Sequence, residues 1–181
     1  MKNLSILAQK EFGVEIEVKC LGLADTFGGK ICAALDRQHP RDLFDVKNLL
    51  ENEGITKDIK DSFIFYLVSH NRPINELLNP MFKNIEKEYE REFLTMSKIE
   101  TGLDELLKTR KALIENLKAQ LSDDDKDFLI SFVSNRPDWS KVRNDKIKDF
   151  PSVKWKLMNQ EKMKKDKIKN YIKSVRNSFD R

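Results

Sequence analysis

The sequence predicts a mainly α-helical, multi-helix protein with one short β-strand near its N-terminus. Only 6 glycines and 5 prolines occur in 181 residues, so turns are few and the elements between them are long. Apolar side chains recur every three or four residues over most of the chain, which is the period of an α-helix. A convincing alternation of apolar and polar residues occurs in one stretch, Val14–Cys20.

The first two elements are a short helix and this strand. Apolar residues at helical spacing predict a helix over Leu4–Phe12, which Gly13 ends. In Val14–Cys20 the apolar residues take alternate positions, so we expect a half-buried strand. One strand cannot satisfy its own backbone hydrogen bonds. Its partner is therefore a neighbouring segment, another chain, or further sheet upstream.

Two helices separated by a short corner follow, over residues 27–50. Asp25 suits the cap of the first helix, and Gly28 and Gly29 lie in its first turns, where each glycine costs about 1 kcal/mol relative to alanine. The glycine pair indicates either close approach by another backbone or a ligand, or a frayed helix start. Gln38-His39-Pro40 forms the corner, because proline suits the first position of the second helix.

Charged residues flank this corner in a pattern that suits a phosphate site. Lys30 and Arg37 lie two turns apart on one helix face, where two cations can hold a triphosphate or can be ordinary surface charges. Asp42 and Asp45 share a face of the second helix. Because Asp42 lies in the first turn, where it stabilises the helix dipole, we predict Asp45 as the catalytic carboxylate. Arg41, four residues before Asp45, is expected to hold it.

The rest of the chain shows further helical stripes of apolar residues. They predict helices around residues 59–67, 82–96, 103–121, 128–132, 151–158 and 168–179. Ser122 precedes the acidic run Asp123–Asp125, which we interpret as a helix cap rather than a metal site. Trp139 and Trp155 are interpreted as core residues, with base stacking as the alternative. The charge-rich residues 141–149 predict a flexible loop.

Charge is distributed unevenly along the chain. Residues 141–181 contain 14 lysines and arginines against 5 acidic residues, whereas residues 1–140 contain 20 and 25. The basic C-terminal part indicates either a nucleic-acid surface or a solvated, lysine-rich helix.

Several classes of protein and site are disfavoured by the sequence. Cys20 and Cys32 lack metal-ligand spacing, and His39 and His70 have no Cys or acidic partner at ligand spacing, so no metal site is predicted. Two unpaired cysteines suit a reducing compartment. No apolar run approaches the length of a membrane span and no signal peptide is recognisable, so we expect a cytoplasmic protein.

The corner region also resembles a known family. The matching residues are Gly29-Lys30, Ala33-Ala34-Leu35, Arg37 and the run Pro40-Arg41-Asp42-Leu43-Phe44-Asp45-Val46. They resemble the third motif of the AbiEii/AbiGii nucleotidyltransferase toxin family, and weaker likeness extends over residues 65–78, 121–139 and 151–159. The resemblance implies a polymerase-β-like nucleotidyltransferase fold followed by a helical domain.

The resemblance further implies a cytosolic bacterial toxin of a toxin-antitoxin or abortive-infection system. Such a toxin uses a nucleoside triphosphate and Mg²⁺, is neutralised by an antitoxin, and has relatives that modify transfer RNA ends. On this basis Lys30 and Arg37 are expected to bind nucleotide, Asp45 to be catalytic, and Arg41 and Asp42 to support them.

One element of the family pattern is absent from the sequence. The family's first motif is a Gly-Ser turn followed by an Asp-x-Asp strand whose carboxylates hold the metal ions. No Gly-Ser occurs here, and Asp-x-Asp occurs only in the acidic run at 123–127. We therefore expect the C-terminal part of a toxin, which is a truncated gene product, a fragment or a partner subunit, and we expect it to be inactive alone. Residues 1–54 would form the edge of the nucleotidyltransferase domain, with the strand as a remnant of its sheet, and residues 55–181 a helical domain packed against it as one unit.

The partners expected from this interpretation are an antitoxin or an upstream catalytic segment. Transfer RNA is a further candidate, and the strand edge offers a route to an oligomer. Two other classes stay open: a non-catalytic helical interaction module and an RNA-binding module. Metal-dependent nucleotide binding would favour the nucleotidyltransferase interpretation. Salt-sensitive RNA binding without nucleotide binding would favour the RNA-binding module.

Overall fold

The computed structural model describes residues 2–97 and 100–180 and is mainly helical, as predicted. Two short strands, β1 (Lys2–Asn3) and β2 (Glu17–Val18), accompany the helices. The helices are α1 (Ile6–Phe12), α2 (Leu23–Arg37), α3 (Pro40–Asn52), α4 (Lys57–Ser69), α5 (Ile74–Leu78), α6 (Glu86–Glu88), α7 (Leu103–Gln120), α8 (Asp123–Val133), α9 (Pro151–Glu161) and α10 (Lys165–Asp180). A π-helical turn covers Tyr89–Phe93, and 3₁₀ turns cover Trp139–Lys141 and Asp145–Asp149.

The predicted strand pairs with a segment of the same chain. β1 and β2 are antiparallel, and the Leu4 amide donates to the Ile16 carbonyl at 3.2 Å. The paired part of the strand is much shorter than Val14–Cys20, and the prediction of a half-buried strand is wrong. Val14, Ile16 and Val18 are all exposed, because no described element covers their side of the hairpin. Alternation sets the direction of side chains, and burial needs a covering element.

The centre of the fold is the contact between α2 and α4, where Gly28 is required. A Cβ atom at Gly28 would lie 2.8 Å from backbone and side-chain carbons of Ser62 and 2.9 Å from the Phe63 amide nitrogen. Gly29 has more room, since its Cβ would meet the Tyr66 ring at 3.5 Å. Of the explanations for the glycine pair, close approach by a neighbouring backbone is therefore the right one at Gly28.

Apolar residues from most helices form one continuous core. The side chains that are fully buried come from α2, α3, α4, α5, α7, α8, α9 and α10, with large contributions from Phe63, Phe128 and Phe132. Trp139 packs on Phe128 with ring centroids 5.6 Å apart, so its prediction as a core residue is confirmed. The same prediction is wrong for Trp155, whose side chain is 58% exposed.

Two buried lysines join distant elements. The Lys60 ammonium on α4 contacts the carboxylate of Asp125 on α8 and lies 3.2 Å from Asp61. Burial alone would lower the pKa of Lys60, but hydrogen bonds and charge attraction from both carboxylates raise it. Asp125 also accepts from the Ser122 amide at 2.9 Å, while its own amide donates to the Ser122 hydroxyl, which confirms the predicted cap.

Lys156 on α9 occupies the end of α4. Its ammonium donates to the carbonyls of Leu67, His70 and Arg72 at 3.2, 2.7 and 2.9 Å. Carbonyls at a helix C-terminus lack intrahelical partners, so the lysine satisfies them and cancels part of the helix dipole. Burial nevertheless lowers the pKa of Lys156 to about 8.

The single helix predicted around residues 82–96 is found only over residues 86–93. The structure has an irregular segment, the three-residue α6 and the π-helical turn, and the side chains of Phe82 and Met96 are 48% and 61% exposed. Gln38 supplies the reason. Its side-chain amide donates to the Met81 carbonyl at 2.8 Å and its side-chain oxygen accepts from the Lys83 amide at 3.0 Å. These bonds hold the backbone of 81–83 in a non-helical path.

Candidate functional site

The corner between α2 and α3 forms where the sequence predicts it. α2 ends at Gln38, which has φ of 56° and so reverses the chain direction. The His39 side chain caps α3, with Nδ1 accepting from the Arg41 amide at 3.2 Å, and Pro40 takes the first helical position. This geometry turns the second helix back so that its charged residues meet those of the first.

Lys30 and Asp45 meet across the corner. The Lys30 ammonium donates to Oδ2 of Asp45, and the two side chains are 37% and 38% exposed. Both side chains are thus accessible to solvent. This is one of two pairs of predicted site residues that the structure brings into direct contact.

Arg37 and Asp42 form a second pair at the ends of the same helices. Arg37 Nη2 donates to Asp42 Oδ1 at 2.7 Å. The Arg37 side chain is 64% exposed, whereas only 13% of the Asp42 side chain is exposed. The other carboxylate oxygen of Asp42 is buried and has no hydrogen-bond partner within the described ranges. Asp42 therefore fixes the position of Arg37 as well as lying in the first turn of α3.

Arg41 has partners other than the one expected. It lies 3.7 Å from the Glu92 carboxylate and contacts the His39 ring, instead of holding Asp45. His39 Nε2 is 3.1 Å from the same Glu92 oxygen. The expected Arg41–Asp45 contact does not form because Asp45 is paired with Lys30. The π-helical turn instead places Glu92 beside Arg41.

The structure adds residues that the sequence did not indicate. Glu92 is 53 residues from His39, and no local pattern marks the pairing. Next to Arg37, Asp36 contacts the Arg72 guanidinium and lies 3.6 Å from His70 Nε2. Burial lowers the pKa of His70, and this outweighs the opposing attraction of Asp36. These contacts tie α2 to the end of α4, and the sequence shows only that the residues are charged.

The chemistry available at the corner follows from these pairs. Lys30 and Arg37 are both partly exposed, so an anionic group can reach either cation. Each is also paired with a carboxylate, which fixes its direction and neutralises its charge until a ligand arrives. A phosphate bound here would replace a carboxylate as the partner of the cation, or share it.

The same pairs do not suit a divalent metal ion. Both carboxylates already face a cation, and in residues 2–97 and 100–180 no group of three or more His, Cys, Asp or Glu side chains could hold a metal. Cys32 is buried, which raises the pKa of its thiol and disfavours the thiolate that a metal or an electrophile needs.

None of the helices in the described ranges combines the length and apolar composition of a membrane span.

No curated protein and no solved structure matches the chain. A sequence model described as nucleotidyl transferase AbiEii toxin, type IV toxin-antitoxin system, matches residues 3–159, which cover both the corner and most of the helices that follow it. The chain therefore belongs to the AbiEii nucleotidyl transferase toxin family.

Proposed function

We propose that this chain supplies the Lys30–Asp45 half of a nucleotide site in a nucleotidyltransferase toxin. Membership of the family indicates a component of a toxin-antitoxin system, with an antitoxin as its partner. It also indicates a nucleoside triphosphate as substrate and a metal ion as cofactor. The observation that carries the proposal is the Lys30–Asp45 contact across the corner, inside the motif-like stretch 29–46.

In this proposal Lys30 takes a phosphate of the incoming triphosphate. Arg37 lies two turns along the same helix and adds a second cation, held by Asp42 at 2.7 Å. Asp45 orients Lys30 before the nucleotide binds and is then free to accept from a hydroxyl of the substrate. Arg41, with Glu92, fixes the start of α3 and so supports Asp45 indirectly.

The metal-binding carboxylates come from another segment in this proposal. Two observations support it: the sequence contains no Gly-Ser turn with an Asp-x-Asp strand, and the apolar side of the N-terminal hairpin is uncovered. A docked nucleotidyltransferase sheet would cover that side, with residues 1–54 as its edge and residues 55–181 as the helical domain. The chain alone would then transfer no nucleotide, and the assembled toxin would act in the cytoplasm on an acceptor such as transfer RNA.

The test begins with the reading frame upstream of Met1. If that frame encodes a Gly-Ser and Asp-x-Asp segment, the joined protein is incubated with labelled triphosphates, Mg²⁺ and mixed transfer RNA. We expect labelling by the joined protein and none by residues 1–181 alone. Lys30→Ala and Asp45→Asn should each reduce turnover by roughly 100-fold or more, as loss of one preorganised charged group commonly does.

A matched control separates this role from a structural one. Lys47 forms an i, i+4 pair with Glu51 on the same α3 helix, at 2.8 Å, and the two side chains are 18% and 55% exposed. Lys47→Ala removes a comparable ion pair, so its turnover should stay close to wild type. All variants should melt within a few degrees of each other, because exposed pairs contribute roughly 0.2–1 kcal/mol. Normal turnover in both site variants would exclude this stretch from the active site, and labelling by the chain alone would show that its carboxylates suffice.

A further inference from the structure

A cleft between α5, α9 and α10 lies apart from the corner residues. It has a volume of about 570 Å³ and includes no member of the Lys30–Asp45 or Arg37–Asp42 pairs. Its floor is fixed, since the Tyr171 hydroxyl on α10 accepts from the Ile74 amide on α5 at 2.9 Å. Burial raises the pKa of Tyr171 to about 12, so this hydroxyl stays protonated.

The cleft contains a buried amide that lacks partners. Gln160 is 4% exposed, and neither its side-chain oxygen nor its side-chain nitrogen has a hydrogen-bond partner within the described part of the chain. A buried primary amide offers one acceptor and two donor hydrogens. Leaving them unsatisfied costs about 1–3 kcal/mol. A ligand that pairs with both atoms would recover this free energy on binding.

An exposed indole, that of Trp155, lies five residues before this amide on α9. The Trp155 side chain is 58% exposed although it lines the cleft, and it forms no part of the hydrophobic core. An aromatic ring left open at the side of a cleft is suited to stacking against a planar group. Trp139, by contrast, packs on Phe128 and has no such role.

The walls of the cleft are mostly apolar, with Pro73 and Met163 in addition to the indole, and polar and positive groups lie among them. Asn75, Asn159 and Asn170 line it, and Lys167 is an exposed cation at its α10 side. The acidic lining residue is Glu76, which is 3.5 Å from Arg72 and so partly neutralised. α9 and α10 belong to the C-terminal part of the chain, with 14 basic against 5 acidic residues. A flat group with apolar faces, a polar edge and an adjoining negative charge suits this combination.

We propose that this cleft binds an unpaired base of a single-stranded nucleic acid. Trp155 stacks on the base, the Gln160 amide pairs with an acceptor and a donor on its edge, and Lys167 contacts the adjoining phosphate. Binding here does not require nucleotide transfer at the corner. RNA binding is therefore the measured quantity. A negative result would count against this cleft as an RNA site and would not bear on the proposed nucleotide site at the corner.

The first experiment measures the affinity of residues 1–181 for fluorescent RNA ten-mers by anisotropy at two salt concentrations. Trp155→Ala should weaken binding by roughly ten-fold or more, as loss of one stacked base does. Trp139→Phe is the matched control and should leave the affinity within two-fold of wild type. An abasic ten-mer, which keeps the phosphates and lacks the bases, should bind at least ten-fold more weakly than RNA. Equal affinity for both would overturn the base site.

The second experiment uses Gln160→Met, which keeps the side-chain length and removes the amide. A ligand-binding role predicts opposite effects on two measurements: the melting temperature of the free protein rises, and the RNA affinity falls. A structural role predicts a lower melting temperature with unchanged affinity. Lys167→Ala should weaken binding and reduce its salt dependence, with Lys169→Ala on the same helix as the comparison. RNA affinity unchanged in the Trp155, Gln160 and Lys167 variants would refute the proposal and leave a peptide as the better occupant.

Discussion

Replacing either of two adjacent glycines by alanine should change stability in opposite directions. In an α-helix, Gly→Ala gains about 1 kcal/mol from backbone entropy. At Gly29 the added Cβ meets the Tyr66 ring at 3.5 Å, an ordinary contact, so the gain is kept. At Gly28 the Cβ lies 2.8 Å from Ser62 carbons, about 0.6 Å inside the 3.4 Å of ordinary contact, and part of the obstacle is backbone.

The magnitude follows from this difference. Overpacking of this kind costs about 1–3 kcal/mol, because α2 must move away from α4 along their whole contact. Subtracting the helix gain of about 1 kcal/mol from this cost, we expect Gly28→Ala to lower the free energy of unfolding by up to about 2 kcal/mol. Gly29→Ala should raise it by up to about 1 kcal/mol. For a protein of this size, 1 kcal/mol corresponds to about 2–4 °C in Tm.

The assay is thermal and urea unfolding followed by circular dichroism at 222 nm. Gly28→Ala should melt below wild type and Gly29→Ala above it, with unchanged m-values in urea. A third variant, Gly28→Ser, should be lower still because it adds a hydroxyl to the same contact. If Gly28→Ala melted at or above wild type, the close packing of α2 on α4 would not be the reason for this glycine.

Three further outcomes are expected. Lys60→Met leaves the Asp125 carboxylate buried without its cation, so urea unfolding should show a free energy of unfolding lowered by about 3–5 kcal/mol. A decrease below about 1 kcal/mol would contradict the importance of the buried pair. Cys20 is exposed and Cys32 is buried with a raised pKa, so a thiol reagent at pH 8 should modify one thiol quickly and the second only in denaturant. Folding lowers the pKa of Lys156 from 10.5 to about 8. Between these two pH values the unfolded chain holds a proton on Lys156 that the folded chain has released. The free energy of unfolding should therefore rise as the pH increases from about 8 to about 10.5. Denaturant titrations at pH 8 and pH 10 should show this rise in the wild type and not in Lys156→Met. If the free energy of unfolding changed equally with pH in both proteins, the carbonyl bonds would be keeping the ammonium charged.

The sequence was sufficient wherever the information lies within one or two helical turns. Helical class, the corner at 38–40 and the cap at Ser122 all depend on residues close together along the chain, and each is found in the structure. Lys30 and Asp45 are 15 residues apart, yet their contact was predictable because one tight corner joins two regular helices. The roles of Lys30, Arg37 and Asp45 in nucleotide binding stay predictions.

Contacts between distant segments decided the rest. Gln38 holds the backbone of 81–83 from 43 residues away, so the apolar stripe around 82–96 could not form one helix. Arg41 pairs with Glu92 because a π-helical turn brings that carboxylate to the corner. The sequence by itself determined which faces of each element are apolar or charged, since side-chain direction follows from local backbone geometry. Only the tertiary structure decided which faces are covered, leaving the hairpin and Trp155 exposed, because burial depends on elements that local periodicity does not specify.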